Sequence, residues 1–443
     1  MGREPSADSG GRDDTDRITS VSLRDVVRAW WPLAMSWGLM GAEQPVIGAV
    51  IARLLDPKIH LAAYGGVVFP VALVIEAPVI MLLAASTELS RDRLSHRALR
   101  RFSHQLGAAL TAMHAVIAFT PVGDVLVRDV LGAPADVVEP ARLGLIIMTP
   151  WTWAIAWRRF NQGVLIRFGR PGAVTRGTLV RLVSSAVILG GGLLHGGVPG
   201  IVVGCTALTV GVFCEALYAS VAVRPVVAGA LRDAPPSTPL SGRAFAAFFV
   251  PLALTPLITL LIQPLGSAAI ARMPEALSSL AIWPIVSGLV FVLQSFGIAY
   301  NEVVVALWDK PNASEALRRF SMLLLLWTTG IIALLSLTPL ADLWMGRVAG
   351  LSPELAVIGA GALWLALPIP GCRALQSWYQ GQLVVRRKTR PITEAVVIFF
   401  VVCTAVLWVG VAQQWRGLEV ALAGFSLGRV VQTAWLALRA RRA

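Results

Sequence analysis

Charge is scarce in this sequence. Asp, Glu, Lys and Arg make up 14% of its 443 residues, where a soluble domain carries about 25%, so the composition argues against a soluble enzyme. Lysine is scarcer still, at Lys58, Lys310 and Lys388 alone, and arginine supplies nearly all of a net charge of +13. The four cysteines (Cys205, Cys214, Cys372, Cys403) sit inside apolar runs with no CxxC spacing, which excludes a disulfide framework and a zinc site. There are five histidines, no HExxH and no glycine-rich loop closing in Lys-Ser or Lys-Thr. The familiar metal-hydrolase and phosphate-loop signatures are therefore missing, and no metal or cofactor is expected. Low hydrophobicity, the mark of disorder, is confined to the ends. What the sequence has instead is 56% hydrophobic residues, gathered into about twelve runs of the roughly 20 residues that cross a bilayer. The expected fold is an all-α integral membrane protein with twelve transmembrane helices.

The runs lie at 26–53, 61–87, 101–120, 138–166, 173–194, 199–223, 243–271, 279–306, 317–338, 354–384, 392–413 and 418–438. Prolines within them (Pro45, Pro70, Pro78, Pro150, Pro264, Pro284, Pro368, Pro370) are compatible with membrane helices, where neighbouring groups satisfy the freed carbonyls. Basic residues sort by loop parity. Arg91, Arg93, Arg97, Arg100 and Arg101 follow the second run, Arg386, Arg387, Lys388 and Arg390 the tenth, and Arg439, Arg441 and Arg442 the last. The odd-numbered loops hold only scattered ones, such as Arg53, Arg128, Arg272 and Arg347. The pattern predicts both termini in the cytoplasm, a cytoplasmic (inner) membrane location, and positive-inside sorting rather than nucleic-acid binding as the cause of the high pI. Residues 1–22 are polar, lack the apolar core of a signal peptide, and read as a disordered cytoplasmic tail.

The chain repeats itself. Pro32-Leu33-Ala34, Gln44-Pro45 and Ile51-Ala52-Arg53 recur 219 residues later as Pro251-Leu252-Ala253, Gln263-Pro264 and Ile270-Ala271-Arg272. The segment Ala98-Leu-Arg-Arg-Phe-Ser103 recurs letter for letter from Ala316 to Ser321, and Gln162-Gly163 as Gln380-Gly381, at an offset of 218. The expected organisation is an N-terminal six-helix bundle (23–224), a cytoplasmic linker (225–242), a C-terminal six-helix bundle (243–438) and a basic tail (439–443). Because six is even, the halves share one orientation, related by an axis along the membrane normal. Transporters built from repeats place substrate near the midplane between them and rock one against the other.

A six-plus-six duplication with a Pro-Leu-Ala opening and Gln-Gly near the end of the fourth helix resembles the MATE/flippase (MOP) transporter superfamily. Glu43-Gln44, Ala63-Tyr64-Gly65, Ser90-Arg91-Asp92-Arg93, Ala156-Trp157 with Gly163-Val164-Leu165, Pro370 with Arg373-Ala374-Leu375, and Arg387-Lys388-Thr389 are similar to its progressive ankylosis (ANK) branch. The resemblance spans about 30–430 and implies export of pyrophosphate-related anions, nucleotides or citrate. The paired Arg158-Arg159 departs from that pattern.

Ionisable side chains in hydrocarbon normally face a bundle interior or a watery cavity. Glu43, midway through the first helix beside Pro45, and Glu76, just before Pro78, are the candidate ion-coupling carboxylates, with a proton or sodium as the ion. Arg373, after two prolines deep in the tenth helix, is the principal candidate substrate ligand, since a guanidinium grips phosphate or carboxylate with two prongs. Arg158 or Arg159, from the equivalent fourth helix, is expected opposite it, with the repeat-related Gln44 and Gln263 as polar ligands. Arg181 and Glu215 read as a structural pair, Arg429 as a pair member or site residue, and His114 as a satisfied polar contact. Trp30, Trp31, Trp408 and Trp415 read as interfacial anchors. A small anionic substrate, a coupling ion and the bilayer are the expected partners. The competing readings are a cation-coupled drug exporter, a lipid-linked oligosaccharide flippase and, behind both, a membrane-embedded enzyme.

Overall fold

The computed structural model describes residues 21–235 and 242–442; residues 1–20, the linker core 236–241 and Ala443 lie outside the described residues. Twelve long helices form the described chain, with no strand among them. They are α1 (Leu23–Ile51), α2 (Pro57–Leu89), α3 (Arg93–Phe119), α4 (Ala135–Arg167), α5 (Pro171–His195), α6 (Gly200–Ala228), α7 (Gly242–Ala271), α8 (Ala276–Leu307), α9 (Ala313–Leu337), α10 (Pro353–Val385), α11 (Arg390–Gln413) and α12 (Gly417–Arg441). Nine are long and apolar enough to span a bilayer unaided. Those that fall short are α1, α3 and α4, all of which carry several charges: α4 has Arg158-Arg159 and α3 a run of arginines. The chain is a multi-pass integral membrane protein. The linker region begins inside α6, and a short helix follows at Ala230–Asp233.

The repeat is visible in the packing. In the first half α4 packs against α2, α3 and α6, and α5 against α6; in the second, α10 packs against α8, α9 and α12, and α11 against α12. The halves meet where α1 runs along α8 and α7 along α2. Small residues let the first pair close: Gly41 lies on Val292, and Gly288 on Pro45. The register slips by one residue inside α2, where a π-turn at Ala62–Val68 accommodates an extra residue that α8 lacks. It slips again before α12, because Gly200 packs on Ile51 while Gly417 packs on the equivalent Ile270, an offset of 217.

Reciprocal contacts join the halves at both ends. Near the termini, Phe102 of α3 stacks edge-on against Phe249 of α7 with centroids 5.0 Å apart, and its equivalent Phe320 meets Trp30 of α1 at 5.2 Å. The repeated Ala-Leu-Arg-Arg-Phe-Ser segment thus supplies a cross-half aromatic. It also corrects the reading of Trp30, which is buried core and donates to the Phe296 carbonyl at 2.9 Å. Trp31, Trp408 and Trp415 are exposed, as anchors should be.

At the opposite face two arginines act as clasps. Arg53, just past α1, donates to the Arg347 and Val348 carbonyls at 2.5 and 2.9 Å. Its equivalent Arg272 donates to the Asp129, Val130 and Leu131 carbonyls at 3.2, 2.8 and 3.1 Å. Each target is the end of a π-turn in the connector of the other half, Leu343–Val348 or Val125–Val130, where carbonyls are left without helical donors. Each connector then turns on a left-handed glycine, Gly350 (φ +78°) or Gly132 (φ +69°), against which the guanidinium lies.

Candidate functional site

Apart from Asp92, which caps α3, the charges buried between the helices fall into two groups, one per half, and they are not copies of each other. In the first half Glu215 of α6 is the hub. It accepts from Arg158 of α4 at 2.5 Å, Gln162 at 2.9 Å and Thr178 of α5 at 3.4 Å, and Arg181 of α5 stands 3.7 Å away. Arg181 also pairs at 3.1 Å with Glu43 of α1, which accepts from Ser185 at 3.2 Å. The structural pair Arg181–Glu215 is therefore part of a larger chain, Glu43–Arg181–Glu215–Arg158, which ties α1 to α4, α5 and α6. Glu76 and Arg159 complete the group. Glu76 is buried with one oxygen unpartnered, in the field of Arg158, Arg159 and Arg181; Arg159 is half-buried, with its Nε unpartnered. The cluster holds three carboxyl groups and three guanidiniums.

Repeat-related positions carry none of this charge. Glu43, Glu76 and Glu215 correspond to Ile262, Gln294 and Gln432; Arg158, Arg159 and Arg181 correspond to Gln376, Ser377 and Phe399. The ion pair Arg158–Glu215 becomes an amide pair, Gln376 donating to Gln432 at 3.1 Å. The second half has its own charges instead. Arg373 of α10 and Arg429 of α12 stand where the first half has the buried Ile155 and Val212. Arg373 makes no hydrogen bond or ion pair among the described residues, and the charge it feels is that of Arg429. Arg429 lies over the Phe399 ring, 4.4 Å from its centroid, and donates to Gln432 at 3.0 Å. Of the carboxylates in this half's spans, Glu302 of α8 is exposed and turned to Trp37 of α1, and Glu394 of α11 pairs with Arg390 and Arg439.

The expected site residues are thus brought together only in part. Glu43, Glu76, Arg158 and Arg159 share one cluster. Arg373 makes no contact with Arg158 or Arg159; the charge near it is Arg429 of its own half. Arg158, 4% exposed, is committed to Glu215. Gln44 accepts from the Tyr64 hydroxyl at 2.9 Å, and Gln263 is half-buried on α7. His114 makes the expected polar contact, 3.1 Å from the Thr152 hydroxyl. Among the described residues no three histidine, cysteine or carboxylate side chains converge as metal ligands would. A cleft of about 690 Å³ on α3, lined by Arg97, Arg100, Arg101 and His104, takes in none of the buried charges. Arg429 is the functional candidate that sequence reasoning undervalued; its signal was a charge with no acidic residue near it in the same apolar run.

No protein-family model and no curated protein matches the sequence. Solved structures do match in shape. An inward-facing multidrug resistance MATE family transporter of the MOP superfamily is 14% identical, with a TM-score of 0.70 over 93% of this chain and 98% of that one. The lipid II flippase MurJ in an inward closed conformation is 11% identical, with a TM-score of 0.72 over 93% and 87%. A MOP superfamily transporter from Pyrococcus furiosus Vc1 (DSM3638), described as having a binding pocket of reverse polarity that suggests a different function, is 15% identical, with a TM-score of 0.64 over 96% of both chains. The twelve helices of this chain have the fold of MATE/MOP superfamily transporters.

Proposed function

We propose that the protein is a secondary transporter that exports small organic or phosphate-containing anions by alternating access of two six-helix halves, with both termini in the cytoplasm. The observation that supports anions is Arg373, a guanidinium deep in a membrane helix with no carboxylate to neutralise it. A drug-cation site calls for unpaired carboxylates; here Glu43 and Glu215 are already bound to arginines, which leaves Glu76 as the one carboxylate of the first-half cluster without an ion pair. The reverse pocket polarity described for the Pyrococcus furiosus protein sets a parallel on the same fold. In this reading Arg373 is the principal ligand, and Glu43 and Glu76 are the candidate coupling groups. The pyrophosphate, nucleotide and citrate class follows from the ANK-like residues.

The test is transport in proteoliposomes with pyrophosphate, ATP, citrate and a cationic dye side by side. Anion transport by the wild type is expected, weakened in Arg373→Lys, which keeps the charge without the planar fork, and nearly abolished in Arg373→Ala. Transport of the dye alone, or normal anion transport by Arg373→Ala, would hand the function to the drug-exporter reading. MurJ's description as a lipid II flippase keeps a lipid-linked diphosphate as the second reading, since it presents the same phosphate chemistry.

A further inference from the structure

We infer that the C-terminal half alone holds an oxyanion site, built by Arg373 and Arg429 together, for a ligand group carrying at least two negative charges, such as a diphosphate. The inference rests on the anion reading and adds to it a second ligand, a charge count and a location.

The two helix turns that carry these arginines are fixed relative to each other. Gln376, one turn below Arg373 on α10, donates to the Arg429 carbonyl at 3.3 Å, to Gln432 at 3.1 Å and to Thr433 at 3.0 Å on α12. The turn that carries Arg373 is thereby stitched to the turn that carries Arg429. Gly297 of α8 makes room on the other side, where a Cβ would fall 3.1 Å from the Arg373 stem. The α10 backbone nearby is broken by a 3-10 turn at Trp364–Ala366 ahead of Pro368, and Ser426 of α12 satisfies the Leu365 carbonyl. Both arginines have polar capacity to spare. Their Nε atoms are buried without partners, Arg373 has no protein acceptor at all, and Arg429 uses one nitrogen on Gln432 while its face rests on Phe399. Both side chains remain half-buried, open to a water-sized contact.

Rigidity does not explain this pair. The first half fills the same two positions with Ile155 and Val212, and pairs the two arginines it buries most deeply, Arg158 and Arg181, with Glu215 and Glu43. In the second half the surroundings of Arg429 are neutral: Gln432, Gln376, Thr433 and the thiols of Cys372 and Cys403. Two like charges held close in a low dielectric repel strongly unless a counter-charge sits between them. A diphosphate supplies it, because guanidinium matches phosphate oxygens bidentately and two guanidiniums match two charges.

Binding to the purified protein, measured by calorimetry, tests the site apart from transport. Pyrophosphate is titrated into the wild type, Arg373→Gln, Arg429→Gln, Arg429→Lys and, as a first-half control, Arg159→Gln. Each Gln variant of the pair is expected to weaken pyrophosphate binding at least about tenfold. Arg429→Lys should fall between, and Arg159→Gln should bind as the wild type does. Acetate should bind feebly throughout. A lipid-linked diphosphate that displaces pyrophosphate would place the same chemistry on a lipid carrier and support the site. If Arg429→Gln binds normally while Arg373→Gln does not, the site has one arginine and the inference fails, with the anion reading intact. Loss in Arg159→Gln equal to that in Arg429→Gln would likewise overturn it, by spreading the site over both halves. A wild type that binds no anion removes both. Should Arg429→Gln not fold, normal binding by Arg429→Lys beside normal binding by Arg373→Gln overturns the proposal on its own.

Discussion

Glu215 holds two arginines in a membrane interior, so its loss should be felt more than that of any single partner. Breaking a buried ion pair by removing one member costs about 3–5 kcal/mol, because the survivor stays charged and unpaired. Glu215→Gln strands both Arg158 and, in part, Arg181, which keeps Glu43. The second half shows how a neutral version is built: Gln376 and Gln432 occupy the equivalent positions and bond to each other. The double variant Arg158→Gln with Glu215→Gln copies that pair, and is expected to melt closer to the wild type than Glu215→Gln alone. Thermal unfolding in detergent gives the cycle, with a coupling of about 1–3 kcal/mol expected. Additive effects would mean that the 2.5 Å contact contributes little. The sequence could not separate Arg158 from Arg159. Neighbours on a helix point about 100° apart, and only the rotation of α4 decides that Arg158 rather than Arg159 reaches Glu215.

At the scale of elements, the left-handed glycines after the connector π-turns are the most exposed to test. Gly132→Ala and Gly350→Ala each impose a positive φ on a residue with a Cβ, at about 1 kcal/mol or more. The new methyl would also fall 3.1 Å from the nearest Arg272 atom, or 2.6 Å from the nearest Arg53 atom. The tighter site at Gly350 is expected to suffer more, with the Arg53 guanidinium displaced from the Arg347 and Val348 carbonyls. Hydrogen exchange should show faster exchange in Leu343–Val348 for Gly350→Ala, with the other connector unchanged. Equal loosening of both connectors would mean that the clasps act as one unit. Helices were legible in the letters because long apolar runs stop at arginines, and the repeat was legible as far as Gln380 because whole words recur. Beyond that point the register rests on contacts rather than letters: Gly211 against the Arg181 carbonyl matches Gly428 against Phe399. Trp30 was misplaced for a related reason. Its position near a helix end suggested an interface, but Phe320 and Phe296 reach it from helices about 270–290 residues away in sequence, which no local pattern shows.

For the molecule as a whole, alternating access requires the halves to separate at one face while they close at the other. The face opposite the termini is shut here by Arg53 and Arg272, each reaching into the other half, with α1 and α2 pressed on α8 behind them. Both arginines also bond one turn back along their own helices, to Ala49 and Ala268, so either can let go of its partner half without losing every acceptor. That makes the clasps releasable rather than permanent. A charge-assisted hydrogen bond contributes about 1.5–3 kcal/mol when shielded and less when wet, so removing both clasps should shift the equilibrium toward opening at this face by roughly tenfold or more. Spin labels at the exposed Asp56 and Glu354, one in each half on this face, report the gap. In Arg53→Ala with Arg272→Ala the distance distribution is expected to gain a longer population, and either single variant to gain a smaller one, because the remaining clasp still spans the halves. Added pyrophosphate should redistribute the populations in the double variant if the ligand prefers one state. An unchanged distribution in the double variant would assign the closure to the α1–α8 seam, and would leave the arginines to orient the connectors alone.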